Sequence, residues 1–111
     1  MVTVAVVRCS SGHIVEFNAS GHAKAGPYGN DLVCCAVSVI TQAAIIGLQS
    51  VVGIALQVNK SSGQLSCQLD MKNSTAKQIE QAQVVLETMF LALRDVAANY
   101  GNHLAIYEKQ S

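Results

Sequence analysis

This chain is short of charge. Only 13% of its 111 residues are Asp, Glu, Lys or Arg, and the seven basic and seven acidic ones cancel, against about 25% charged residues in typical domains. With no summed field, nothing draws the chain to nucleic acid or to an anionic membrane, so neither is an expected partner. Hydrophobic residues make up 50% of the chain, leaving too little polar surface to cover a monomer, and a homo-oligomer is the expected remedy.

Other absences narrow the field further. The opening MVTVAVVR alternates like a strand and lacks the basic region, apolar helix and small-residue cleavage site of a secretory signal, so a cytoplasmic protein is expected. A reducing compartment keeps Cys9, Cys34, Cys35 and Cys67 free of disulfides. There is no C-x-x-C, and His13, His22 and His103 do not flank the cysteines at ligand spacing; no metal and no cofactor is expected. No charge occurs between Asp31 and Lys60, and Leu32 to Leu56 is long enough to cross a bilayer. Ser38, Thr41, Gln42, Gln49 and Ser50 interrupt that run, Gly47 and Gly53 weaken it as one helix, and Val51 to Val58 turns β-branched. A buried helix followed by a buried strand is therefore expected, with no membrane span.

A chain of this length forms one domain, residues 1–111, with a core that needs no staples. Val2, Val4 and Val6 alternate with Thr3 and Ala5, Ser10-Ser11-Gly12 turns the chain, and Val15, Phe17 and Ala19 are expected to share a face of the returning strand. Residues 20–30, with Gly21, Gly26, Pro27, Tyr28 and Gly29, read as a mobile loop. Asp31 is expected to cap an apolar helix from Leu32 to about Leu48, covered on more than one side. A second hairpin follows, Ile54 to Asn59 and Gln64 to Asp70, with Leu65, Cys67 and Leu69 facing one way. Thr75 and Gln78 fit a capping box, and Ile79, Ala82, Leu86, Met89, Phe90, Leu93 and Ala97 recur at helical spacing until Gly101. His103 to Tyr107 is the last expected strand, with Glu108 to Ser111 frayed. The result is a ββαββαβ order, an α+β fold with a mostly antiparallel sheet and two helices.

Two segments carry chemistry. Ser20-Gly21-His22-Ala23 sets a histidine on a glycine-bounded turn, and Asp31-Leu32-Val33-Cys34-Cys35 sets a cysteine early in an apolar helix. An imidazole and the positive end of a helix both favour the thiolate, the reactive form of cysteine. Cys34, not Cys35, suits that role, because Cys35 is rotated about 100° toward the face of Val39 and Gln42. Cys34 and Ser38 stack on one helix face, where the Ser38 hydroxyl either holds His22 or a substrate carbonyl or bonds back to its own helix. Cys9 and Cys67 read as inert packing residues, and His13 and His103 as surface residues.

With SGHA and GNDLVCCAVS both in view, the chain resembles the bacterial ribosomal-processing cysteine protease family. The resemblance implies a homodimeric endopeptidase that removes a short N-terminal extension from a protein of the large ribosomal subunit. It makes His22 the general base and Cys34 the nucleophile, with Gly21, Asp31 and Ser38 as supporting positions. Cys35 departs from the family, which more often has alanine there. In the implied mechanism His22 takes the Cys34 proton, the thiolate forms a thioester, water releases it, and N–H groups at the helix start hold the oxyanion. The competing expectation is a noncatalytic dimeric adaptor that grips a ribosomal protein. A redox pair of Cys34 and Cys35 is disfavoured because adjacent helical cysteines point apart.

Overall fold

The computed structural model describes residues 1–21 and 32–111 in full and the backbone of residues 28–31. Five strands form one sheet in the order β3-β4-β2-β1-β5: β1 (Val2–Arg8), β2 (Ile14–Ser20), β3 (Leu56–Ser61), β4 (Gln64–Leu69) and β5 (Leu104–Gln110). Helices α1 (Tyr28–Ile46) and α2 (Ala76–Asn99) bury one face of it, giving the expected ββαββαβ order. Three pairings are antiparallel and the β1–β5 pairing is parallel.

The alternation in β1 does what period-2 patterning requires: Val2, Val4 and Val6 are buried against the helices. In β2 the register slips between Val7 and Arg8, so that Arg8 opposes Ile14 and Glu16 opposes Val7. Ile14 and Phe17 are therefore the fully buried residues, and Val15, expected to share a face with Phe17 and Ala19, falls out of register and stays half-buried. The Gln83 side chain serves this bulge, accepting from the Ile14 amide at 2.7 Å and donating to its carbonyl at 2.9 Å.

The capping box at α2 is present as expected: the Gln78 amide donates to Thr75 Oγ1 at 3.1 Å and the Thr75 amide to Gln78 Oε1 at 2.9 Å. Its apolar stripe, Ala82, Leu86, Met89, Phe90 and Leu93, is buried. Three boundaries differ from expectation. Helical winding continues past Leu48 as a π-helical segment, Gly47–Val52, and stops at Gly53, whose φ of +75° no β-branched residue would favour. The expected strand at Ile54 therefore starts at Leu56. The tail expected to fray is strand, because Glu108, Lys109 and Gln110 pair with Val6, Val7 and Arg8; a ladder needs main-chain groups and not apolar side chains.

Arg8 ties this end together. Its guanidinium donates to Glu87 at 2.6 and 3.0 Å and to Glu108 at 2.8 Å, and it stacks 5.4 Å from the Phe90 centroid. The pair holds the Glu87 carboxyl below its ordinary value of 4.5. It therefore adds stability above that pH, and the contribution disappears as pH falls through the depressed folded value. We expect thermal unfolding of Glu87→Gln to be less acid-sensitive than wild type below pH 4.5. Because Glu87 remains 41% exposed, the difference is under about 1 kcal/mol.

α1 also departs from expectation. With the π-helical segment that continues it, it buries Val33, Val37, Thr41, Ala44 and Leu48, while Val39, Ile46 and Val51 are 63%, 60% and 81% exposed. It is covered on one side only. By length and composition Leu32–Val52 could cross a bilayer; here its buried side belongs to the core formed with the sheet and α2.

Candidate active site

Cys34 lies half-buried on α1, where the helix passes over the ends of β1, β2 and β4. Beside it is a cavity of about 230 Å³ with a floor of Val2, Ala19, Val37 and Leu65 and a rim of Ser38, Gln42, Ser61, Gln64 and Lys60. An apolar floor with a few polar groups at its edge suits a peptide side chain flanked by its backbone. Cys35 is exposed, on the side of Val39 and Gln42, as the helical rotation requires.

The helix begins at Tyr28, not at Leu32. Tyr28 and Gly29 are thus helical in backbone rather than part of the loop. Asp31 stands within the helix instead of capping it, and Cys34 falls in the second turn instead of the first. The free N–H groups and the partial charge of a helix start fade within one turn, and Cys34 stands farther from the helix start than the sequence implies. His22, Gly26 and Pro27 lie outside the described residues.

Gly21, the residue before His22, is fixed by its surroundings. Its φ is +77°, its amide donates to the Gly63 carbonyl at 3.0 Å, and a Cβ there would lie 2.5 Å from the Met1 carbonyl oxygen. Only glycine fits both the left-handed backbone and the close approach. Gly21 also lines the Cys34 cavity.

Ser38 and Cys34 line the same cavity, as their spacing implies. Ser38 makes no bond back to its own helix among the described residues. Buried Thr41 does bond back, its hydroxyl donating to the Val37 carbonyl at 2.8 Å. Thr41, Lys60, Ser61 and Gln64 were not singled out from sequence. Thr41 is seven residues from Cys34 and could have been found by helical spacing; the other three arrive by strand pairing, which leaves no local signal.

The remaining thiols differ sharply. Burial pushes the Cys67 thiol up to about 11, in keeping with an inert packing role. Cys9 does not pack in a strand as expected. It follows β1 in the turn, and the Ser11 hydroxyl 3.0 Å from its sulfur lowers its pKa. His13 and His103 both sit in turns, half-buried. In native protein at pH 7.5, iodoacetamide should label Cys9 and leave Cys67 unmodified until denaturant is added, which peptide mass mapping can read. Among the described residues no three His, Cys, Asp or Glu side chains group as a metal site.

A two-layer α+β fold that holds a half-buried helical thiol over a peptide-sized cavity defines a candidate cysteine hydrolase. The sequence pattern of the family described as cysteine protease Prp matches residues 1–105, and the chain belongs to that family; it is a cysteine peptidase. The ribosomal processing cysteine protease Prp of Staphylococcus aureus is 27% identical over 113 aligned positions, covering 98% of this chain and 100% of the relative. The fold matches crystal structures of the S. aureus ribosomal processing protease Prp, one with a substrate peptide (TM-score 0.85, 22% identity) and one with a covalently linked product peptide (TM-score 0.83, 22% identity), each covering 98% of this chain and 100% of the other. A Streptococcus mutans protein matches with a TM-score of 0.79 and 25% identity, covering 100% of this chain and 96% of its own.

Proposed function

We propose that this chain is a ribosomal processing endopeptidase that removes a short N-terminal extension from a protein of the large ribosomal subunit, with Cys34 as nucleophile and His22 as general base. The observation that carries this reading is the cavity itself. Of the four cysteines only Cys34 lines it, and it shares it with Gly21, the residue that leads into His22. The S. aureus relative's name supports the ribosomal substrate.

In this reaction His22 removes the Cys34 proton and the thiolate adds to the scissile carbonyl. The imidazolium then protonates the departing amine, the acyl group stays on sulfur as a thioester, and water activated by the same imidazole hydrolyses it. Ser38, with a hydroxyl at the rim, is placed to hydrogen-bond a substrate carbonyl. Asp31 supports the site from the preceding helical turn. The sequence of steps needs no metal and no cofactor. A cytoplasmic setting, where thiols stay reduced, suits it.

The enzyme works as a homodimer joined through the bare side of the helix layer. Val39 and Ile46 of α1, Val51 of the π-helical segment and Val84 and Leu91 of α2 are all exposed, and around the α1–α2 seam Ala43, Ala44, Gly47, Val85 and Met89 line one apolar groove. No charge interrupts α1 after Asp31, and a single apolar surface of this kind marks an interface. Val84→Glu should therefore convert a dimer to a monomer in sedimentation equilibrium.

The deciding experiment is incubation with the unprocessed ribosomal protein under reducing conditions, followed by mass measurement. Loss of a defined N-terminal peptide supports the reading. An intact precursor that still binds favours the adaptor.

A further inference from the structure

We infer that the peptide substrate is held as an added strand along the outer edge of β3. This inference rests on the peptidase reading above and says how its substrate is gripped.

β3 is an edge strand, and the alternation of an antiparallel ladder says which of its main-chain groups are free. The Asp70 amide donates to the Ala55 carbonyl at 2.9 Å, which makes Ala55 and Asp70 a hydrogen-bonded pair. Counting along the register, Gln57, Asn59 and Ser61 bond to β4, and Leu56, Val58 and Lys60 turn their N–H and C=O groups outward. No described group hydrogen-bonds to those outward groups.

Native proteins blunt such edges with proline, bulges or several charges. This one has no proline, no break in register and a single lysine at its end. Its location distinguishes it from β5, the other edge: Lys60 and Ser61 line the Cys34 cavity, and no β5 residue does. A peptide paired to β3 would thus run directly into the space beside the thiol. Strand addition reads main-chain groups and tolerates varied side chains, leaving selectivity to the cavity next to the scissile bond.

The test is an N-methyl scan of a synthetic peptide of about ten residues centred on the bond cut in the precursor, avoiding the two positions flanking that bond. Pairing predicts alternation: methylation of every second amide lowers kcat/KM by about tenfold or more, and methylation of the amides between them changes it by less than about twofold. In the protein, Lys60→Pro removes one outward N–H and no bond to β4, a substitution that edge strands accept. It should raise KM about fivefold over Lys60→Ala, which loses the same side chain from the cavity rim but keeps the N–H, with kcat little changed between the two. If Lys60→Pro loses its fold by circular dichroism, the peptide scan decides alone. Uniform tolerance or uniform loss across the scan overturns the inference. So does a Lys60→Pro variant with altered oligomeric mass and wild-type kinetics, which would give the edge to a second copy. A peptide that wild-type protein does not cut would overturn the peptidase reading and this inference together, whereas efficient cutting without alternation overturns this inference alone.

Discussion

Cys34→Ala is expected to lower peptide cleavage by at least about 10⁴-fold, because removing the nucleophile of a covalent mechanism leaves only binding and residual electrostatic stabilisation. The fold should survive. Alanine is the best helix former, Cys34 is only half-buried, and the thermal midpoint should stay within a few degrees of wild type. Peptide affinity should persist, since the cavity floor of Val2, Ala19, Val37 and Leu65 is untouched. Cys35→Ala is the matched control and should retain activity within about twofold, because Cys35 is exposed outside the cavity. Stopped assays on the two purified variants, with active-site labelling of the Cys35→Ala protein, read both arms. Full activity in Cys34→Ala, or its loss in Cys35→Ala, would move the chemistry to the neighbouring sulfur.

Gly21→Ala should cost about 2–4 kcal/mol and lower the unfolding midpoint by on the order of 10 °C. Two penalties combine at this position: a left-handed φ of +77° and a Cβ 2.5 Å from a backbone oxygen, which cannot rotate away as a side chain could. Relief requires Met1 and Val2 to move, and Val2 forms part of the cavity floor, so kcat/KM should fall along with stability. Gly12→Ala separates the two penalties. Gly12 has a φ of +89° but nothing within 4 Å of an added Cβ, so it should cost only about 1–2 kcal/mol and leave activity unchanged. Equal losses at both glycines would show that backbone conformation alone is at stake and that the approach to Met1 carries no weight.

Much of the fold was legible because local physics agreed with it. The Val2-Val4-Val6 alternation, the Leu65-Cys67-Leu69 face and the stripe from Ala82 to Leu93 each have one period and one buried side. The capping box at Thr75 and Gln78 needs only two residues three apart. The errors came where the deciding interaction was distant. Val15 lost its place to Ile14 because a bulge opposite Arg8 shifted the register, held by Gln83 from α2. Glu108 to Gln110 looked like a polar tail and became strand because β1 supplied the missing partner.

The site divides in the same way. Cys34, Cys35 and Ser38 were distinguishable from helical rotation alone, and the glycine before His22 was visible as a turn residue. Lys60, Ser61 and Gln64 were not, since they reach Cys34 only through the pairing of β4 with β2 and of β3 with β4. Nor did composition reveal that α1 and its π-helical continuation would leave Val39, Ile46 and Val51 bare, because an apolar helix looks the same whether its second side meets the same chain or another.

The sequence alone thus determined the succession of elements and the different helix faces of two adjacent thiols, both from spacing along one chain, and its SGHA and GNDLVCCAVS segments carried the resemblance to a cysteine peptidase family. Tertiary structure decided the helix start at Tyr28, the parallel seam between β1 and β5, the requirement for glycine at position 21, and the company Cys34 keeps. Each of these depends on which backbone approaches which, and residues that meet only after folding leave no periodic trace beforehand.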